Sequence, residues 1–283
     1  MQSTRRSFLH LSACAALGAA GGCASTKPES APRCGGHGVG VCPESRLRLA
    51  CQMWSVNDIW KKNPQDAFRR MRALGYEGVQ SFGFLAMNHD ELAKMLDDNG
   101  LRIVDMPFYM RNVTPDKFNQ FLEFCQRFKI DFVYEPWWQG TTATDWRRHT
   151  DELLAVAAKF RQHGIRTGYH NHQHEMRLHF EGKTPYEYVF DSGLDFELDV
   201  GHVKLAGRDP VACLKTLAGR VPSIHAKPGG GNSVGGAGDT NDWSAIIRTC
   251  REIGVKWAVV ECEERRNTFE DVQNSYNFLK PLV

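Results

Sequence analysis

A strand-length apolar run followed by an amphipathic helical stretch recurs eight times between Leu47 and Leu279. Each chain segment crosses a helix before the next strand begins. Neighbouring strands then pair in parallel, in a sheet covered by helices. Strands are expected at about Leu47–Met53, Gly78–Ser81, Leu101–Asp105, Phe132–Glu135, Arg166–His170, Asp195–Asp199, Val221–Lys227 and Trp257–Glu261. Helices are expected at about Pro64–Leu74, Asp90–Asn99, from Pro115 onward, Asp145–His163, Pro185–Asp191, Pro210–Leu217, Trp243–Ile253 and Phe269–Leu279. Local punctuation supports these boundaries. Thr114 precedes Pro115 and Asp209 precedes Pro210, an N-cap followed by a first-turn proline. Gly75, Gly100, Gly164 and Gly254 stop helices. Eight strand–helix units predict an α/β fold, the closed (β/α)8 TIM barrel. No G-x-G-x-x-G opens a helix after an early strand, which disfavours an open dinucleotide-binding sheet.

The later runs end in polar clusters: Tyr169-His170-Asn171-His172, Glu197-Leu198-Asp199-Val200-Gly201-His202, Ile224-His225-Ala226-Lys227 and Val259-Val260-Glu261. In an α/β barrel the carboxyl ends of the strands carry the active site. His, Asp, His and Glu arriving there from successive strands are ligand types for a divalent cation. The expected ligands are His170, Asp199, His225 and Glu261, around one Mn, Co, Mg or Zn ion. Strand alternation points His170 and His172 the same way. His170 continues the apolar strand and is taken as the ligand, with His172 nearby in the pocket. Each residue also has a plain structural use: His170 or His172 to satisfy buried strand-end hydrogen bonds, Asp199 to cap the next loop, and Glu261 to pair with Arg265 or Arg266. Aromatics follow other strands, namely Trp54, Phe108, Tyr109, Trp137 and Trp138. Sugars present C–H faces to such rings. Trp54, Trp137 and Trp138, with His172 and with Glu135 at the fourth strand end, form the expected substrate-binding set. The stretch Gly229-Gly230-Gly231 to Gly235-Gly236 reads as a flexible lid with backbone N–H groups available to an anion.

The first residues read as an address. In Thr4-Arg5-Arg6-Ser7-Phe8-Leu9 the pair Arg5 and Arg6 precedes a mildly apolar run ending near Ala20, the pattern of a twin-arginine export signal. The run is too short and too rich in Gly and Ala to span a bilayer well. Cys23 follows Ala20-Gly21-Gly22 and is a candidate for lipidation, which would add a lipid anchor. The expected organisation is a signal over 1–23, a Gly/Pro/Ser-rich tether over 24–45 and a catalytic barrel over 46–283, in the periplasm. Removing the signal takes the formal charge from +2 to zero, because it holds two arginines and no acid. A neutral chain without a Lys/Arg stripe argues against a nucleic-acid partner. Of nine cysteines, Cys34 and Cys42 sit close enough in the tether to pair in an oxidising compartment. Cys51, Cys125, Cys213, Cys250 and Cys262 fall in apolar patterns, as buried thiols do.

Several segments together carry a resemblance. They are Ala73-Leu74-Gly75-Tyr76-Glu77-Gly78-Val79-Gln80, Gly168-Tyr169-His170-Asn171-His172, Leu198-Asp199-Val200-Gly201-His202 and Asp209-Pro210-Val211. Gly219-Arg220-Val221-Pro222-Ser223-Ile224-His225-Ala226-Lys227, Gly238-Asp239 before Trp243, and Val255-Lys256-Trp257-Ala258-Val259-Val260-Glu261 continue it. The chain resembles the xylose-isomerase-like barrel superfamily of sugar phosphate isomerases and epimerases, in a subgroup containing Tyr-His-Asn-His. That superfamily also has an apurinic-endonuclease branch. The resemblance covers about Leu47 to Leu282 and is not specific for a substrate. It implies one divalent metal held from the ends of strands five to eight, often by Glu, Asp, His and Glu. Asp199, His225 and Glu261 match the last three, and His170 stands where Glu is usual. In the epimerases the strand-five and strand-eight carboxylates move protons on the two substrate faces, which a metal-bound imidazole does not do. Gln80, Asp105-Met106-Pro107 and Pro228 are further departures, where the superfamily often has Glu, His and Asp.

The expected activity is that of an exported, metal-dependent sugar isomerase or epimerase. It would transfer a proton beside a carbonyl through an enediolate. Glu261 is the expected base, Lys227 neutralises the developing oxyanion, and His202 donates or relays a proton. Three alternatives stand beside it: a keto-sugar lyase or dehydratase on the same site, a catalytically silent carbohydrate-binding barrel, and a metal phosphodiesterase of the apurinic-endonuclease type. The last generally has a three-metal cluster and a basic surface, and zero net charge counts against it.

Overall fold

The computed structural model describes residues 46–283, except 82, 113 and 264–267. Arg5, Arg6, Cys23, Cys34, Cys42, the tether, Arg265 and Arg266 lie outside the described residues. Short buried runs form strands β1 (Arg48–Gln52), β2 (Gly78–Gln80), β3 (Arg102–Ile103), β4 (Met106–Pro107), β5 (Phe132–Glu135), β6 (Arg166–His170), β7 (Asp195–Asp199), β8 (Ser223–Ala226) and β9 (Trp257–Val260). All pairs are parallel, in the order β3-β2-β1-β9-β8-β7-β6-β5-β4. β3 and β4, at the two ends of that order, are halves of one interrupted strand, so the nine segments make a TIM barrel.

The interruption corrects the expected continuous strand at Leu101–Asp105. Val104 still donates to the Val79 carbonyl at 3.1 Å. Asp105 is drawn into the lumen instead, where Gln80 Nε2 (2.8 Å) and Ser223 Oγ (2.7 Å) donate to its carboxylate. Bonds across the lumen replace one rung of the ladder.

Helices α1 (Asn57–Trp60), α2 (Pro64–Leu74), α3 (His89–Asn99), α4 (Pro115–Arg127), α5 (Ala143–Arg161), α6 (Gln173–Arg177), α7 (Pro185–Asp191), α8 (Val200–Leu205), α9 (Pro210–Thr216), α10 (Trp243–Ile253) and α11 (Thr268–Leu279) flank the sheet. Their ends are locally encoded. Asn63, Asn88, Thr114, Thr142 and Thr184 each accept a backbone N–H at a helix start, an interaction typically worth about 1 kcal/mol. Gly75 ends α2 at φ 110°, a conformation that a Cβ disfavours. α1, α6 and α8 have no counterpart in the sequence pattern, because runs this short do not display helical periodicity. No helix among the described residues is long and apolar enough to cross a membrane.

Strand alternation sorts the side chains into two sets. Leu198, Ile224, Ala258 and Val260 join the core shared with the helices. In that core Phe108, Phe121 and Phe160 pack at steep angles, with centroids 4.8 to 5.9 Å apart. Ala50, Val104, Trp257 and Val259 form a separate apolar cluster inside the barrel. Toward the carboxyl ends the inward residues turn polar: Glu197 then Asp199 on β7, Ser223 then His225 on β8, and Glu261 just beyond β9.

Candidate active site

Each strand end contributes by a local device. At the end of β6 the motif Tyr169-His170-Asn171-His172 divides its labour. The Tyr169 hydroxyl donates outward to buried Glu175 at 2.8 Å, while His170 turns into the lumen. Asn171 reaches sideways: its Oδ1 accepts the Asp199 N–H (3.0 Å) and its Nδ2 donates to the Asp199 carbonyl (3.2 Å), which locks the two strand ends together. Asp199 Oδ1 in turn accepts the His202 N–H at 2.7 Å and caps α8. That use leaves Asp199 Oδ2 buried without a hydrogen-bond partner. Gly201 allows α8 to begin there, since a Cβ would lie 2.7 Å from the carbonyl oxygens of Lys227 and Pro228. The close approach puts His202 Nε2 3.2 Å from Lys227 Nζ.

His170 Nε2 lies 4.0 Å from Asp199 Oδ2, and His225 Nδ1 lies 3.8 Å from the same atom. Among the described residues, His170, Asp199 and His225 form the one group whose ligand atoms all lie within 4.8 Å of each other. His225 Nδ1 is also buried and lacks a hydrogen bond, although Glu261 Oε2 is 3.2 Å away. An unpaired buried polar atom costs about 1–3 kcal/mol. A cation between these atoms removes that cost. Imidazole nitrogens with carboxylate oxygens suit Zn, Mn or Co. The side chains of His170, Asp199 and His225 therefore fit a divalent ion, and Glu261 Oε2 lies beside the group, 3.2 Å from His225 Nδ1.

Charge is distributed unevenly. Burial alone would raise the Glu261 carboxyl, but Lys227 and then His225 outweigh it and hold the group well below the usual range. Lys227 Nζ is 3.2 Å from Glu261 Oε2 and also donates to Glu263 Oε2 at the pocket edge. Burial would favour the neutral amine, yet Glu261, Asp199 and Glu263 keep it charged. Burial, followed by Lys227, pushes His202 down to about 3. Burial, followed by His225, pushes His170 down to about 4. At neutral pH the site thus offers an ionised Glu261, a charged Lys227 and neutral imidazoles at His170 and His202. Burial would lower His225, but Glu197 and then Glu261 outweigh it and favour its charged form, so a cation held there would displace a proton.

The remaining expected residues separate. His172 lines the same wall, with ring centroids 4.7 Å from His170 and 4.8 Å from His202. Trp137 meets His172 at 4.6 Å and is 38% exposed, so its ring is open to a ligand. Trp138 instead stacks flat on His149 at 4.1 Å, half-buried behind that wall. Trp54 is exposed on the turn after β1, with the Lys61 ammonium 5.9 Å from its ring centroid. Glu135 pairs in register with outward-facing Tyr169 and so faces away from the lumen, where its Oε2 accepts the Met110 N–H at 2.7 Å. The inward residue is its neighbour Tyr134, 5.9 Å from His170 between ring centroids. Tyr134 and Glu197 are absent from the expected site, yet counting two residues back from Asp199 along the strand reaches Glu197, and Tyr134 is the residue next to Glu135 on the opposite face. In the glycine-rich stretch Asp239 accepts the N–H groups of Gly229 and Gly235 at 2.8 Å each.

Burial pushes the Glu135 carboxyl from about 4.5 up to about 7. A carboxyl whose folded pKa is raised stabilises the fold most below its unfolded pKa, and that contribution is lost as pH rises through the folded value. Glu135→Gln keeps an acceptor for Met110 but does not ionise. Between pH 5 and pH 8 the variant should gain about 2 kcal/mol relative to the parent, read by urea denaturation. Parallel pH profiles for the two proteins would contradict this account.

A family profile described as xylose isomerase-like TIM barrel matches residues 68–282, and the chain belongs to that family. Among solved structures, a sugar phosphate isomerase/epimerase from Parabacteroides distasonis ATCC 8503 is similar at TM-score 0.70 and 20% identity, over 85% of this chain and 96% of that one. A D-psicose 3-epimerase from Clostridium cellulolyticum H10, solved with D-tagatose, gives TM-score 0.65 at 13% identity, over 83% and 99% of the two chains. A 3-keto-D-glucoside 4-epimerase from E. coli gives TM-score 0.63 at 13% identity, over 83% and 100%. At these identities the likeness is one of fold. No match was found among curated proteins.

Proposed function

We propose that this barrel is a metal-dependent sugar isomerase or epimerase that moves a proton beside a substrate carbonyl. The observation that carries the reading is the pair of buried, unpartnered ligand atoms, Asp199 Oδ2 and His225 Nδ1, beside an ionised Glu261. The neighbours named as a D-psicose 3-epimerase and a 3-keto-D-glucoside 4-epimerase support a sugar substrate, and the second name includes a keto group.

His170, Asp199, His225 and Glu261 would hold the cation. Bound there, a divalent ion supplies Lewis-acid polarisation of a carbonyl and so acidifies the neighbouring C–H. Glu261, already ionised, takes that proton. The Lys227 ammonium, 3.2 Å from Glu261, stabilises negative charge developing on the substrate oxygen. His202, 3.2 Å from Lys227 Nζ, relays a proton back to the substrate. Trp137 and His172 offer ring faces to the sugar. Because β6 ends in an imidazole and Asp199 caps α8, base chemistry falls to Glu261, which would ligate through one oxygen and still reach a proton. This composition favours isomerisation or elimination over inversion between two carboxylates.

The test is incubation of metal-replete protein with free sugars, keto-sugars and keto-glycosides in D2O, followed by NMR. Deuterium on a carbon next to a carbonyl is the expected result. Release of water or of a glycosidic alcohol would assign the same site to a lyase. Binding without turnover or exchange across the panel, with metal present, would move the reading to a sugar-binding barrel.

A further inference from the structure

Glu197 takes no part in the proton transfer above, yet it is a fully buried carboxylate on the inward face of β7, two residues before Asp199. Among the described residues no Lys or Arg pairs with it; the partners of its Oε2 are two imidazoles. Glu197 Oε2 lies 3.1 Å from His170 Nδ1 and 3.2 Å from His225 Nε2. Its other oxygen, Oε1, accepts from Gln80 Nε2. A buried carboxylate in such a place is costly unless its partners are fixed, and here the partners are two of the three side chains of the candidate cation group.

A neutral imidazole carries its proton on one nitrogen and a lone pair on the other. A carboxylate facing one nitrogen holds the proton there and turns the lone pair to the opposite side. Glu197 faces His170 Nδ1 and His225 Nε2. The opposite nitrogens, His170 Nε2 and His225 Nδ1, face Asp199 Oδ2 at 4.0 Å and 3.8 Å. His225 Nδ1 also faces Glu261 Oε2 at 3.2 Å, and the two acceptors on Nε2, Glu197 and Gln80, keep the remaining proton on that side once a cation is held at Nδ1. We propose that Glu197 is a positioning residue that sets the tautomers of both histidines from one oxygen and so builds the cation site from beneath. The proposal rests on the metal-dependent reading given above. The two rings are not held equally. His225 Nε2 has a second acceptor, Gln80 Oε1 at 2.8 Å, whereas His170 Nδ1 has Glu197 alone. His170 should therefore be the ring that loosens when Glu197 is replaced.

The experiment uses metal-free protein titrated with Mn2+, with free ion followed by EPR. Glu197→Met keeps side-chain length and removes both acceptor oxygens; Glu197→Gln keeps one. Asp105→Asn is the control, since Asp105 shares the buried layer and bonds Gln80 and Ser223 but neither imidazole. The expected rise in Mn2+ Kd is about 10–100-fold for Glu197→Met, smaller for Glu197→Gln, and about none for Asp105→Asn. In 15N-histidine spectra of the metal-free chain, His170 should lose its Nδ1–H preference in Glu197→Met while His225 keeps Nε2–H. Should Glu197→Met not fold, the Glu197→Gln titration and spectra decide. Parent-like affinity in the Glu197 variants, or an equal loss in Asp105→Asn, overturns the positioning role and leaves the metal reading standing. A parent chain that takes up no divalent ion overturns both.

Discussion

Glu261→Gln is expected to abolish deuterium uptake at the substrate carbon and to slow turnover by about 10²–10⁴-fold, the usual contribution of a positioned general base. The amide nearly preserves shape and keeps an oxygen for Lys227 Nζ, which lies 3.2 Å from Glu261 Oε2. It removes the ionised oxygen that accepts the proton. Metal content must be measured on the same sample, because Glu261 also stands beside the cation group at 3.2 Å from His225 Nδ1. Lys227→Met separates the two roles. Lys227 contacts Glu261, Glu263 and His202 and stands outside the cation group, so its loss should slow the reaction about 10²–10³-fold with metal retained. Full activity in Glu261→Gln with metal still bound would rule out proton abstraction by this carboxylate.

The second large effect is on metal content. Purified protein should hold about one divalent ion per chain, the expectation for a single site. His225→Ala should lower affinity more than about 100-fold, beyond the range seen when only a supporting residue is lost. Asp199 needs two variants, because its two oxygens have different jobs. Asp199→Ala removes both the cap on α8 and the free ligand atom, and the cap alone should cost about 1 kcal/mol in denaturant stability. Asp199→Asn keeps an acceptor for the His202 N–H but loses the anionic ligand. It should retain stability and still lose the ion. Elemental analysis after exhaustive dialysis, with circular dichroism as the fold control, gives the answer. Stoichiometric metal in both His225→Ala and Asp199→Asn would show that these atoms do not hold it.

The fold was legible where the signals were local. Phe132–Glu135, Arg166–His170, Pro185–Asp191, Asp195–Asp199 and Trp243–Ile253 have the same limits in the sequence pattern and in the structure. Alternation, helical periodicity and caps such as Thr184 before Pro185 act within a few residues, so the chain carries them in its order. The third strand was legible only as an apolar stretch. Its break at Asp105 depends on Gln80 and on Ser223, 25 and 118 residues away. The candidate site was legible as a set of strand-end residues. Trp138 and Glu135 looked similar to their neighbours in sequence, yet in the structure Trp138 stacks on His149 and Glu135 accepts the Met110 N–H.

The sequence by itself determined the eight-fold strand–helix rhythm and the placement of His170, Asp199, His225, Lys227 and Glu261 at carboxyl ends of successive strands. Backbone periodicity and chain order are enough for that. Tertiary structure alone decided which atoms of those residues are free. Asp199 carries one oxygen spent on α8 and one left bare. His170 and His225 present particular nitrogens because Glu197 lies beneath both. Lys227 is held between Glu261 and Glu263. Each choice depends on a partner that barrel closure brings within hydrogen-bond distance, and such a partner is set by geometry across strands, not by neighbours along the chain.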